Sequence, residues 1–178
     1  MGFYLGDYIL KLVFGFERYP YSARFGKESP LTATTKKKAS VRARRSPYGA
    51  GKTTDEVAEQ LEGEYGIVED FYEKEEDYLV DLFEESFAEQ IEEVMAGVEV
   101  PKERITTKET NKIETKFKYG LMRELYHKKG SVPTEAAKKG VSHLRAHPYA
   151  KGNPQRPSFV DTGMYMRSFR AWIEEDDK

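Results

Sequence analysis

Between positions 79 and 95 apolar side chains return every four residues: Leu79, Phe83, Phe87, Ile91 and Met95, with Leu82 and Val94 beside them and acids at most positions between. Side chains three and four apart share a helical face, whereas a strand needs alternation by two, so this pattern admits an amphipathic helix and little else. The spacing predicts a helix over residues 69–96, stopped by Gly97 and followed by an extended link, Val98-Glu99-Val100-Pro101. Its outer face is crowded with carboxylates. Pairs four apart, such as Glu73/Asp77, Asp77/Asp81, Asp81/Glu85 and Glu85/Glu89, repel at a cost of roughly tenths of a kcal/mol each. The face carrying Glu69, Glu73, Asp77, Asp81, Glu85, Glu89 and Glu92 therefore reads in two ways. It is a plain solvated surface, or it has an outside use, facing a partner or walling a lumen that repels DNA.

This acidic block is flanked by two basic ones. Residues 1–52 carry 11 Lys/Arg and 3 Asp/Glu, residues 53–100 carry 1 Lys and 18 Asp/Glu, and residues 101–178 carry 17 Lys/Arg and 10 Asp/Glu. Two arrangements satisfy the pattern. Subunits with faces of opposite sign associate head to tail, or the basic segments neutralise the acidic helix within one subunit. The densest basic tract, residues 36–45, holds Lys36, Lys37, Lys38, Arg42, Arg44 and Arg45 with no acid. It would neutralise phosphates, with steep salt dependence, or dock on an acidic protein surface. No aromatic interleaves with the charges to stack a base, which favours protein docking.

Residues 3–16 are aromatic and β-branched enough to read as strand. From Tyr19 to Tyr48, prolines, glycines and a Thr/Ser/Lys/Arg tract describe an extended polar arm. Thr53 or Thr54 can cap a helix that Gly63 and Gly66 close. A third helix, residues 107–127, carries the stripe Ile113, Phe117, Leu121 and Leu125; a fourth, residues 133–145, turns Ala136, Ala137, Val141 and Leu144 inward. The last segment reads as a turn at Asp161-Thr162-Gly163, a short helical turn, and a strand holding Phe169, Ala171, Trp172 and Ile173. The expected fold is α+β, mostly helical. Its small sheet comes from the terminal regions, a strand and basic arm occupy residues 1–52, and residues 53–178 form the core domain.

Few motifs suggest chemistry. Gly49-Ala50-Gly51-Lys52-Thr53-Thr54 imitates the end of a phosphate-binding P-loop. However, the position of the leading glycine is Ser46, and the residues before it do not make a buried strand. A glycine hinge before a capped helix is the plainer reading; nucleotide or nucleic-acid binding is the alternative function. His143 and His147 stand four apart without an obvious third ligand. No cysteine is present, which excludes disulfides and thiolate chemistry and fits a reducing cytosol. The acidic helix has no histidine among its carboxylates. Neither a catalytic residue, a cofactor nor a metal site is expected. The most apolar N-terminal stretch, residues 8–16, is interrupted by Lys11 and Gly15 and falls short of the roughly 20 residues of a membrane span.

The closing stretch Arg156-Pro157-Ser158-Phe159-Val160-Asp161-Thr162-Gly163-Met164-Tyr165-Met166-Arg167-Ser168-Phe169-Arg170-Ala171-Trp172 resembles the end of the small head–tail joining (neck or tail-completion) proteins of long-tailed bacteriophages. Pro157, Thr162, Gly163, Tyr165 (shifted by one), Ser168 and Phe169 occupy the family's pattern of Pro, Thr-Gly, large apolar residue, Ser and apolar residue. The resemblance implies a non-enzymatic virion protein assembled in the host cytoplasm. It would form a homo-oligomeric ring of six or twelve subunits in the neck, between portal or adaptor and tail-terminator proteins, with double-stranded DNA passing through the lumen. On that reading the carboxylate face lines the lumen or meets a partner. Lys36, Lys37, Lys38, Arg42, Arg44 and Arg45 dock on a neighbour, and the Trp172 strand completes a sheet.

Overall fold

The computed structural model describes residues 2–5, 8–19, 52–98 and 104–175. The fold is α+β and mostly helical. Strands β1 (Gly2–Leu5), β2 (Tyr8–Phe16) and β3 (Phe169–Glu175) form an antiparallel sheet in the order β1-β2-β3. Between β2 and β3 come helices α1 (Thr54–Tyr65), α2 (Ile67–Lys74), α3 (Glu76–Met95), α4 (Lys108–Met122), α5 (Glu135–Lys138) and α6 (Met164–Ser168). The sheet thus joins the two ends of the chain, as expected. The single strand expected over residues 3–16 is instead a hairpin, with Leu5 opposite Tyr8 and Gly2 opposite Lys11.

Alternation by two decides which face of β2 is buried: Leu10, Leu12, Phe14 and Phe16 pack against the core. On β3, Phe169, Ala171 and Ile173 are fully buried. The Phe169 ring stacks on Phe117 of α4 with centroids 3.8 Å apart, and Phe71 of α2 meets Phe117 edge-on at 5.1 Å. Burying each of these rings contributes about 1.5–3 kcal/mol. Helices α2, α3 and α4 therefore share a core with the sheet, to which Leu10, Leu12, Phe14 and Phe16 of β2 belong.

The helix expected over residues 69–96 is two helices, broken at Glu75. The cause is geometric. Residues four apart advance about 40° beyond a full turn on an α-helix, so Ile67, Phe71, Leu79 and Phe83 cannot all face the core from one straight helix. The break at Glu75 resets the face. Beyond it the same drift carries the apolar stripe away from the core, and Met95 is 83% exposed. The positions that stay buried on α3 follow the true helical period, Leu79, Leu82, Phe83, Ser86 and Gln90.

Two other helices are shorter than expected. Helix α4 ends at Met122 because Glu124 takes a positive φ of 58°; Leu125 turns outward and Tyr126 turns in, fully buried. Only Glu135–Lys138 of the fourth helix forms. Gly140 sits at φ 61°, with backbone oxygens of Pro154 and Asn153 where a Cβ would be, so the chain leaves the helix there. Leu144, expected inward, is 68% exposed, and Ala136 is exposed as well.

Candidate interaction surfaces

Helices α3 and α4 run antiparallel, and a ladder of lysines crosses between the acidic helices and the segment after them. Lys108 pairs with Glu89 (3.1 Å), Lys112 with Glu85 (3.5 Å) and Lys116 with Glu75 (3.0 Å). Past the end of α4, Lys128 bridges Glu69 (2.7 Å) and Glu73. The hydrogen bond and charge of Lys128 hold the Glu69 carboxyl below its usual range, and Glu69 and Glu73 together push the Lys128 ammonium up. Glu89 likewise raises Lys108. Of the seven carboxylates singled out in the sequence, Glu69, Glu73, Glu85 and Glu89 are therefore neutralised within the chain.

Among the described residues, Asp77, Asp81 and Glu92 have no such partner. With Glu84 they lie along the outer strip of α3, exposed, and no cation among the described residues pairs with them. They form a bare ridge beside a neutralised flank. The six cations of residues 36–45 lie outside the described residues.

Trp172 completes the subunit's own sheet, opposite Val13 of β2. Its half-buried indole covers Gly15, where a Cβ would sit 2.5 Å from the ring. The indole Nε1–H donates to Glu174 (2.8 Å), and the Arg104 guanidinium lies 4.9 Å from the ring centroid. The hydrogen bond from Trp172 and the charge of Lys11 outweigh burial and hold the Glu174 carboxyl low. The far edge of β3 is closed by Ile105, which exchanges both backbone bonds with Ile173, and by the Glu114 carboxylate, which accepts from Ala171 N–H (3.4 Å).

In the closing motif, Thr162 Oγ1 accepts from Met164 N–H (3.3 Å). Gly163 has φ 76°, and a Cβ there would meet only the Arg167 Nε at an ordinary contact distance of 3.9 Å, so the glycine is required by the backbone turn rather than by close packing. Asp161 does not cap α6. It accepts from the backbone N–H of His143 (2.9 Å) and from the imidazole Nδ1 (2.5 Å). The other ring nitrogen meets the Tyr149 hydroxyl at 3.3 Å. His143 is thus engaged on both sides, His147 is exposed, and no group of three metal-ligating side chains occurs among the described residues.

The imitation of a P-loop is only partly described. Lys52 Nζ donates to Gln60 (2.9 Å), and the buried Thr54 hydroxyl accepts from Tyr19 N–H (2.9 Å) and donates to the Glu17 carbonyl. Both side chains serve to join α1 to itself and to β2. Among the described residues no helix is long and apolar enough to cross a membrane.

Sequence reasoning missed Ser86 and Gln90 as buried positions and Asp161–His143 as the brace of the C-terminal loop. The first two were accessible by stepping the helical period from Leu79; the third joins residues 18 apart and carries no local signal. No family model, curated protein or solved structure matches the chain.

Proposed function

We propose that this chain is a structural protein of the neck of a tailed bacteriophage, a homo-oligomeric ring that lets double-stranded DNA pass. The observation that carries the reading is the bare ridge of Asp77, Asp81, Glu84 and Glu92 next to a flank fully served by lysines. A row of unneutralised carboxylates on a rigid helix repels phosphates, so DNA slides past without adhering. The closing motif supports the same class of protein. The test is electron microscopy and solution mass of the purified chain, alone and with portal and tail-terminator proteins. Rings with a lumen wider than a DNA duplex are expected. A chain that stays monomeric and joins no such assembly would refute the proposal.

A further inference from the structure

We infer that copies of this chain join head to tail, the loop over residues 141–152 of one copy seating on the distal end of α3 of the next. The inference rests on the ring proposed above and names the contact that would build it.

The distal half of α3 is inverted. Its fully buried positions are polar, Ser86 and Gln90, with Phe87 and Ile91 half-buried, while Met95 at its end is 83% and Val98, just beyond it, 53% exposed. Gln90 is 7% exposed, and its Oε1 has no hydrogen-bond partner. Beside it opens a cleft of about 380 Å³ lined by Gln90, Glu93, Arg104 and Thr107, among others. Arg104 and Lys108 line that cleft as well as Glu89 and Glu93, and exposed Glu92 and Glu93 make the end of the helix acidic. An apolar patch with a charged rim is the anatomy of a protein interface.

The loop is its complement. Leu144 and Tyr149 stand 68% and 75% exposed, yet the loop beneath them is braced. Asp161 holds the backbone and ring of His143, and His143 holds the Tyr149 hydroxyl. Asn153 donates to the carbonyls of His147 (3.0 Å) and Pro148 (2.9 Å) and accepts from Arg145 (3.2 Å). Apolar side chains displayed on a prearranged loop lose little entropy on binding. The loop over residues 141–152 carries Arg145 and Lys151 and no Asp/Glu, so its charge is basic where the exposed end of α3 is acidic.

The two surfaces cannot meet within one subunit. Glu89, near the distal end of α3, pairs with Lys108 at the start of α4. The loop is tied to the other end: Arg156 donates to the Val141 carbonyl, and adjacent Ser158 donates its N–H to Glu124 (2.7 Å), just past α4. The 15 residues of α4 separate the two by about 22 Å. A contact between unlike patches is heterologous, and it closes into a ring when the rotation permits.

The chain has no cysteine, so Met95→Cys in the full-length protein carries a single thiol for a benzophenone photo-crosslinker. Mixing isotope-labelled and unlabelled protein separates links between copies from links within one. Links to residues 141–152 of another copy are expected. Sedimentation should show that Leu144→Ser with Tyr149→Ser weakens self-association at least tenfold, that Glu92→Lys with Glu93→Lys weakens it, and that adding Lys151→Glu restores it. Links to residues 20–51 or to a second α3, or an oligomer with no link from position 95, would overturn the inference and leave the ring intact. A monomer at every concentration would overturn both.

Discussion

Replacing Gly120 by alanine tests how the end of α4 is locked. A methyl group there would lie 1.9 Å from Cε2 and 2.3 Å from Cζ of Tyr126. That ring is fully buried, parallel to Phe117 at 6.1 Å and edge-on to Phe71 at 5.1 Å, and its hydroxyl donates to Glu75 at 3.0 Å. It cannot move without leaving the core. Alanine improves helix propensity by about 1 kcal/mol. Against this stand about 1–3 kcal/mol for overpacking and about 1.5–3 kcal/mol for a lost hydrogen bond to a carboxylate. The expected net loss is about 1.5–5 kcal/mol, which for a chain of this size lowers Tm by about 3–20 °C. Thermal and urea unfolding followed by circular dichroism measure it. Gly63→Ala is the control, since nothing lies within 4 Å of its Cβ position, and it should stabilise by about 0.5–1 kcal/mol. In a Tyr126→Ala background, Gly120→Ala should become neutral or stabilising. If Gly120→Ala behaves like Gly63→Ala, or its cost persists without Tyr126, the packing argument is wrong.

Burial and the Glu75 carboxylate push the Tyr126 phenol well above its usual range. A raised folded-state value gives stability that is complete below about pH 10 and is lost as pH rises beyond it; Tyr126→Phe should flatten that alkaline decline in pH-dependent unfolding. Glu69 is displaced the other way by Lys128, so its contribution is present above the ordinary carboxylate range and fades as pH falls. Lys128→Gln should shrink the acid limb of the same curve. The chain has one tryptophan, and Gly15→Ala should lift the Trp172 indole off β2, red-shifting its fluorescence; an unchanged spectrum would contradict the packing. Finally, on the reading proposed above, Asp77→Lys with Asp81→Lys and Glu84→Lys should raise the chain's retention of DNA at low salt, with release as salt rises. Filter binding reads the change, and no gain in retention would contradict the ridge.

The sequence made the helices and the terminal sheet legible because their signals are local: the cap at Thr53, the stop at Gly66, and the aromatic and β-branched run over residues 3–16. It misled where a pattern had the right residues but the wrong period. Reading Leu79, Phe83, Phe87, Ile91 and Met95 as one buried stripe ignored the drift of a four-residue repeat, and so hid both the break at Glu75 and the inversion at Gln90. Leu125 and Leu144 looked like core by spacing, yet backbone turns at Glu124 and Gly140 ended their helices first. The lysine ladder was visible as net charge but not as geometry. Which carboxylates it would reach depends on the antiparallel packing of α3 and α4, a tertiary fact.

That packing bears on what the remaining charge is for. Helix α3 contains no lysine or arginine, and its last turn holds no cation. Glu92 and Glu93 stand there against the negative end of the helix dipole, a placement that costs about 0.3–1 kcal/mol for each exposed charge. The lysines of α4 stop short of them: Lys108, the first residue of that helix, already pairs with Glu89. Among the described residues, the distal end therefore gathers three features, two glutamates with no ion-pair partner, a dipole terminus and exposed Met95. A solvated surface would need only the first. A cationic partner with an apolar centre relieves all three at once, and the basic loop displaying Leu144 and Tyr149 has that composition.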